Sequence, residues 1–185
     1  MRIEAEKKLF TSDDIEKMYE AGILGPDDRV ELLDGEVILM KPGRKHTACT
    51  DRANALFTEA LGRRAIVSIQ GPIVIDIHNE PLPDVLILKP RADFYESFDR
   101  TIEYALLIVE ISDSTLNRDL KKKLPHYAES DVPEFWVEDL QHGLIHVFRE
   151  PEKGQYKVHL KLNRGESISP LAFPDVSIKV DDLLG

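Results

Sequence analysis

The run from Tyr104 to Ile111 is apolar at every position except Glu110. An apolar run without alternation predicts a central β-strand that is covered on both faces. Such a strand belongs in a sheet flanked by helices, so the run favours a layered protein that contains both element types. Glu110 places a carboxylate near the end of this strand, where an ionised group is costly unless it is paired or bound to a cation.

Two other segments predict helices. Thr11 to Asp14 combine a hydroxyl cap with acids that suit the positive end of a helix dipole, and this helix should end near Gly22 or Gly25. From Thr47 to Leu61 apolar residues recur at helical spacing, and Gly62 supplies a stop. The chain is therefore expected to begin with one helix and to carry a longer one before its central strand.

Strand signals occupy most of the remaining chain. Asp34-Gly35 separates the apolar runs 30–33 and 36–40, and this dipeptide is typical of a tight β-hairpin turn. Further strands are predicted at 66–77, with an interruption at Gly71-Pro72, and at 85–88, 135–137, 144–148 and 156–162.

The segment from Ser112 to Glu129 predicts a loop and a helix, with Ser114 or Asn117 as the cap and with Pro125 kinking or restarting the helix. The whole order of elements predicts an α/β (α+β) fold. In this fold a mixed β-sheet is flanked by helices, with an N-terminal helix, a β-hairpin and extra C-terminal strands.

Composition narrows the class of protein. The 185 residues are expected to form one domain, 1–185. A single cysteine, Cys49, excludes an intramolecular disulfide, and the polar start from Met1 to Lys8 is unlike a signal peptide, so a cytoplasmic location without membrane association is expected. The net charge of -10 disfavours a broad nucleic-acid-binding surface but is compatible with a local basic patch.

Two acids at the edges of apolar runs are the first candidates for a functional site. Asp84 follows Pro83 and opens the run 85–88, and Glu110 lies near the end of the central run. If the two strands are neighbours, both carboxylates can hold Mg²⁺ (or Mn²⁺), which prefers oxygen ligands. The alternative, which spacing alone favours, is a turn residue at Asp84 and a strand-edge ion pair at Glu110.

Six motifs follow one another along the chain: Glu31–Glu36, Pro83-Asp84, Val109–Ser112, Arg118–Leu124, Tyr127-Ala128 and Val132–Asp139. In order and spacing they resemble the Uma-type family of restriction-endonuclease-like proteins, within the PD-(D/E)XK nuclease-like superfamily. The similarity runs from about Ser12 to Phe148.

The resemblance implies a nuclease-like core in which Asp84 and Glu110 are metal ligands and the backbone carbonyl of Ile111 is a third. The usual motif carries a lysine two residues after the second acid, but Ser112 occupies that position. The resemblance assigns the catalytic ammonium to Lys123 instead. The alternative is that Lys123 and the cations before it form a solvated basic helix face.

Three further residues match family positions. The resemblance makes Glu31 a fourth catalytic residue, whereas the alternative is an exposed strand residue before the hairpin turn. Gln70 positions a ligand or water, or else is a buried amide bonded to backbone. Gln70 and His46 form a second group of candidates, after the acids and Lys123. The alternative for His46 is a helix cap or a surface residue.

The sequence therefore predicts a Mg²⁺-dependent nuclease that hydrolyses phosphodiester bonds of DNA or RNA, and analogy with related folds favours a homodimer. A catalytically silent binding or regulatory module with the nuclease fold is the first alternative, because the chain is acidic and Ser112 replaces the usual lysine. A metal-free hydrolase that uses Asp84 and Glu110 as acid and base is the second, and it needs a substrate-sized gap between the carboxyls.

Overall fold

The computed structural model describes residues 7–185. Residues 1–6, which enter the prediction of a cytoplasmic location, lie outside the described part of the chain. The first helix, α1, spans Ser12–Glu20 and begins with a capping box. The hydroxyl of Thr11 accepts a hydrogen bond from the backbone N–H of Asp14, and the Asp14 carboxylate accepts one from the backbone N–H of Thr11. The predicted start of this helix is confirmed.

The predicted hairpin is also present. Strands β1 (Val30–Leu33) and β2 (Glu36–Leu39) pair in antiparallel register across Asp34 and Gly35. Both turn residues have positive φ, 53° and 70°, which a two-residue hairpin turn of this type requires. The Asp-Gly dipeptide tolerates this conformation, so the local sequence is sufficient to define the turn.

Helix α2 spans Arg44–Leu61 and begins three residues before the predicted Thr47. The difference arises because Gly43 caps the helix without a side-chain hydrogen bond and the first turn carries no apolar residue that would signal helical periodicity. The helix ends at Gly62, whose φ of 54° terminates it as predicted.

Six strands form the central mixed sheet, in the order β3-β4-β5-β6-β7-β8. Neighbouring strands are antiparallel except for β5 and β6, which are parallel. Their bounds are Ile66–Ile69, Val85–Leu88, Ala105–Ser112, Glu134–Asp139, Leu144–Glu152 and Gln155–Asn163. The predicted central strand is β5, which lies between β4 and β6 and is almost fully buried.

One predicted strand is shorter in the structure. The segment expected to extend over 66–77 is a strand only as far as Ile69. Gln70 adopts a φ of 47°, and Pro72 has no N–H to donate to a ladder, so pairing cannot continue through this segment. The chain leaves the sheet at Gln70, which puts this side chain at the sheet edge next to the start of β4.

The helical segment after β5 has three parts. They are α3 (Leu116–Arg118), a π-helical turn (Asp119–Lys123) and α4 (Leu124–Glu129). Pro125 lies in the first turn of α4, where its missing N–H is tolerated. The backbone stays helical across the boundary, so the predicted kink or restart takes the form of a change from π-helical to α-helical hydrogen bonding at Leu124. The predicted caps Ser114 and Asn117 are wrong, since the cap position is occupied by Thr115.

The sheet has a hydrophobic cluster on each face. On one face α2 and the C-terminal helix α5 (Val180–Leu184) pack on the sheet, and the rings of Phe57 and Trp136 lie 5.9 Å apart at centroid. On the other face Tyr127 of α4 packs against Phe135 of β6. Two short strands, β9 (Ser167–Ile168) and β10 (Ile178–Lys179), form the remaining C-terminal pair.

The predicted fold class is confirmed: a mixed sheet is flanked by helices and accompanied by an N-terminal helix and hairpin. Across residues 7–185, no helix is both long enough and apolar enough to cross a membrane.

Candidate active site

Asp84 lies where the chain enters β4, and its carboxylate joins three parts of the fold. Oδ2 accepts a hydrogen bond from the backbone N–H of Ile111 in β5 at 2.9 Å and lies 3.0 Å from Nε2 of His46 in α2. Oδ1 accepts a hydrogen bond from Nε2 of Gln70 at 3.3 Å. The residue is buried. Asp84 is therefore a bonded side chain that links α2, the end of β3 and β5, and not a solvated turn residue.

Glu110 lies on β5, the strand that pairs with β4. Its Oε1 accepts hydrogen bonds from Nζ of Lys123 and from the hydroxyl of Tyr127, both at 3.0 Å. No hydrogen bond to a residue of the described chain engages Oε2. Burial raises the pKa of Glu110 well above its ordinary value, the Lys123 ammonium acts against this rise, and the Asp84 carboxylate adds to it.

Lys123 and Glu31 lie behind Glu110. The ammonium of Lys123 is 2.8 Å from Oε2 of Glu31, and neither side chain is exposed. Burial alone would lower the pKa of Lys123, but the carboxylates of Glu110 and Glu31 outweigh this effect and raise it, so the ammonium stays charged. Arg118 completes the group, with Nη2 3.2 Å from Oε1 of Glu31. These contacts to Glu31 have ion-pair distances without the alignment of directed hydrogen bonds.

A cavity of about 450 Å³ opens in front of the two acids. Its wall includes Asp84, Glu110, Ile111, His46 and Gln70. Two more acids, Asp113 and Asp119, and three cations, Arg29, Lys41 and Arg118, also line it. The lining of the cavity thus carries both acidic and basic side chains.

The structure brings the sequence candidates together in two layers. Asp84, Glu110, Ile111, His46 and Gln70 line the cavity. Lys123 contacts this layer at Glu110, and Glu31 contacts Lys123, but neither is among the residues that line the cavity. The two alternatives in which Glu31 and Lys123 are exposed are therefore wrong, since both side chains are fully buried.

Tyr127 and Asp119 are site residues that the sequence does not single out by themselves. Tyr127 lies one helical turn after Lys123, so the pair reaches the same oxygen of Glu110, and this i, i+4 spacing is the signal that could have identified it. Asp119 is buried and accepts hydrogen bonds from the hydroxyls of Ser112 and Thr115. Ser112, at the position of the usual lysine, therefore serves to hold Asp119.

Glu138 is a buried acid beside this site. It lies on β6, opposite Ile111 of β5, is 0% exposed, and neither carboxylate oxygen has a hydrogen-bond partner among residues 7–185. Burial, together with the nearby Asp84 carboxylate, raises its pKa to about 8, and Arg52 acts in the opposite direction. Glu138 is thus a neutral acid near neutral pH.

The donor set suits a hard divalent cation of the Mg²⁺ type. Asp84 and Glu110 supply carboxylate oxygens to the same cavity, and Oε2 of Glu110 is not engaged by any donor of the described chain. Within residues 7–185 no three side chains of His, Cys, Asp or Glu are grouped to hold a metal ion. Mg²⁺ is commonly bound by only one or two carboxylates with waters, so two acids and a backbone carbonyl fit it, whereas a closed zinc centre does not fit.

Comparisons with known proteins show which family this chain and its fold are similar to. A model described as "Uma2: Putative restriction endonuclease" matches residues 13–181. The fold is similar to the crystal structure of a protein described as "a putative nuclease belonging to DUF820" from Anabaena variabilis ATCC 29413, with a TM-score of 0.73 and 16% identity over 95% of this chain and 97% of that chain. No curated protein matches this chain. The family match covers most of the chain, and the protein therefore belongs to the Uma2 family.

Proposed function

We propose that this protein is a metal-dependent nuclease that hydrolyses phosphodiester bonds of DNA or RNA. The observation that carries the proposal is the shared cavity of Asp84 and Glu110, two buried acids on neighbouring antiparallel strands. Two buried carboxylates that face one cavity repel each other, and a divalent cation relieves that repulsion. Membership of the Uma2 family and the nuclease-like fold support the same function.

Mg²⁺ or Mn²⁺ is the proposed cofactor, with Asp84, Glu110 and the backbone carbonyl of Ile111 as the ligands from the protein. When bound, such an ion lowers the pKa of a water molecule and offsets negative charge on a phosphate. Gln70 and His46 hold the two oxygens of Asp84, and the backbone N–H of Ile111 fixes the same carboxylate from β5. These three contacts orient Asp84 towards the cavity before any ligand arrives.

Glu110 is oriented from the opposite side. Lys123 and Tyr127 both donate to Oε1, which leaves Oε2 for the cavity. Glu31 supplies the second counter-charge for Lys123 and so keeps the ammonium in place. We propose that Glu31 and Lys123 contribute to catalysis by opposing the rise in the pKa of Glu110 and by holding its carboxyl in one orientation.

Nucleic acid is the proposed partner in spite of the net charge of -10. Arg29 and Lys41 lie at the cavity and have no carboxylate partner in the described part of the chain, so they provide a local positive surface for phosphates. A homodimer is part of the proposal because cleavage of two strands requires two sites. Light scattering after size-exclusion chromatography measures the oligomeric state directly.

The test compares wild-type protein with Asp84→Ala in calorimetric titrations with Mn²⁺ and Mg²⁺. Asp175→Ala is the matched control, since Asp175 is an exposed aspartate paired with Arg64 on the surface. Wild type and control should bind the ion, and Asp84→Ala should lose at least tenfold in affinity. Labelled single-stranded and duplex DNA and RNA, incubated with each ion, report cleavage. Metal binding that is unchanged in Asp84→Ala would exclude the proposed site.

A binding or regulatory module with the same fold is the second candidate function. One observation favours it: the Lys123 ammonium is bound by two carboxylates and does not line the cavity. This candidate predicts oligonucleotide binding without cleavage at any concentration of Mg²⁺ or Mn²⁺. The cleavage assays above therefore distinguish the two functions.

A further inference from the structure

The position of Lys123 raises the question of which cation meets the substrate. Its ammonium lies between Oε2 of Glu31 and Oε1 of Glu110, at 2.8 and 3.0 Å, and its side chain is 0% exposed. Removal of a charge from such a buried group leaves the others uncompensated. Lys123 therefore offsets two buried carboxylates, and no part of it lines the cavity.

Arg118 occupies a different position in the same group. It lines the cavity together with Asp84 and Glu110, and 27% of its side chain is exposed. Its contacts are made through Nη2, to Oε1 of Glu31 at 3.2 Å and to Sδ of Met40 at 3.6 Å. Nε is buried and has no hydrogen-bond partner among residues 7–185. Nη1 makes no hydrogen bond to these residues either, so its two N–H donors are unused.

The π-helical turn explains why both cations reach one carboxylate. Arg118 and Lys123 are five residues apart, and the turn between them follows the i to i+5 hydrogen-bond pattern, in which the N–H of Leu124 bonds to the carbonyl of Asp119. Glu31 lies between the two side chains, with Oε1 towards Arg118 and Oε2 towards Lys123. One buried acid thus fixes a buried cation and a cation at the cavity.

We propose that Arg118, and not Lys123, is the catalytic cation that contacts the phosphate of the substrate, while Lys123 is a positioning residue for Glu110. This inference rests on the proposed nuclease function. A planar guanidinium matches two phosphate oxygens at once and remains charged, and Glu31 holds it at the cavity wall. Charge that develops on the phosphate oxygens is stabilised by such a fixed donor.

The experiment compares Arg118→Ala, Arg118→Lys and Lys123→Met with wild type. Lys121→Ala is the matched control, because Lys121 is an exposed cation of the same π-helical turn. Mn²⁺ affinity is measured by calorimetry, the binding of a fluorescein-labelled oligonucleotide by anisotropy in Ca²⁺, and cleavage by kcat and KM in Mn²⁺.

The expected results separate the two cations. Arg118→Ala should bind Mn²⁺ within about threefold of wild type but lose roughly 100-fold or more in kcat, and Arg118→Lys should recover only part of it. Lys123→Met should lose about 10- to 100-fold in Mn²⁺ affinity, since Glu110 is no longer held. The control should behave as wild type.

Two results would overturn the assignment in distinguishable ways. If wild type cleaves and Arg118→Ala cleaves equally well, Arg118 does not contact the phosphate, although the nuclease function stands. If wild type binds neither Mn²⁺ nor the oligonucleotide, the proposed function fails and this assignment fails with it. Should Lys123→Met not fold, the two Arg118 variants alone decide the question.

Discussion

Nζ of Lys123 lies 2.8 Å from Oε2 of Glu31, and neither side chain reaches solvent. The replacement Lys123→Met removes the ammonium while keeping most of the volume, so Glu31 and Glu110 remain as buried carboxylates without their shared counter-charge. Loss of one partner of a buried ion pair costs about 3–5 kcal/mol. We expect a loss of this size in the free energy of unfolding, measured by urea denaturation.

Lys122→Met provides the comparison for this substitution. Lys122 pairs with Asp34 at 2.7 Å, but the two side chains are 54% and 40% exposed, and such surface pairs contribute little. Its urea midpoint should stay close to that of wild type. Equal losses in the two variants would mean that Lys123 does not compensate buried charge.

Tyr127→Phe tests the second donor to Glu110. The hydroxyl donates to Oε1 at 3.0 Å inside the protein, and removal of a hydrogen bond to a buried charged group costs about 1.5–3 kcal/mol. Tyr156→Phe is the matched variant, because the Tyr156 hydroxyl donates to the neutral carbonyl of Val132 at 2.9 Å. The loss of unfolding free energy should be larger for Tyr127→Phe. The reverse order would show that Glu110 does not depend on this hydroxyl.

His46→Ala tests how Asp84 is held. Nε2 of His46 lies 3.0 Å from Oδ2 of Asp84, and loss of a contact behind a metal ligand reduces affinity about 10- to 100-fold. We expect this reduction in calorimetric titrations with Mn²⁺. His142→Ala removes a histidine–aspartate contact of 2.7 Å, to Asp139, away from the cavity, and should leave Mn²⁺ affinity unchanged. Parallel losses in both variants would contradict a specific role for His46.

Glu138→Gln tests the pH dependence of stability in the metal-free protein. The pKa of Glu138 rises from 4.5 to about 8 on burial, so between these pH values the folded state holds a proton that the unfolded state releases. Stability from this group is therefore present at low pH and is lost as the pH rises through this window. Each pKa unit corresponds to about 1.4 kcal/mol, so Glu138→Gln should be more stable than wild type at pH 8 by a few kcal/mol.

This difference in stability is measured from the urea midpoints of wild type and Glu138→Gln, between pH 5 and 8 and with a chelator present. The two curves should converge near pH 5 and separate as the pH rises. A constant difference across this range would show that Glu138 does not titrate there.

The local elements of this fold are predictable from sequence because each carries its own signal. Asp34-Gly35 has the residues that a positive-φ turn needs, and β5 is apolar along nearly its whole length. The sequence brings Asp84 and Glu110 together only on the condition that their strands are neighbours, and it is the resemblance to the Uma2 family that favours this condition. The signals of the turn and of β5 depend on residues that are close in sequence, so they can be recognised without knowledge of the tertiary structure.

The arrangement of charges around Glu110 is not predictable in the same way. A basic run such as 121–123 is usually solvated. Lys123 is buried because it pairs with Glu31, which lies on a hairpin far away in sequence. The start of α2 is not predictable from the local sequence either, since Arg44 follows a glycine cap without a side-chain bond. In both cases the deciding contact lies outside the local pattern.

The wide turn at Asp119–Lys123 holds one residue more than an α-helical turn would hold between the same flanking helices. Deletion of one residue there would let the turn close with ordinary i to i+4 bonds, so α4 would keep its orientation and Tyr127 would still reach Glu110. Arg118 and Lys123 would then be four positions apart instead of five. A homologous chain that is one residue shorter here should therefore keep the tyrosine contact and lose the spacing by which the two cations reach the two oxygens of Glu31.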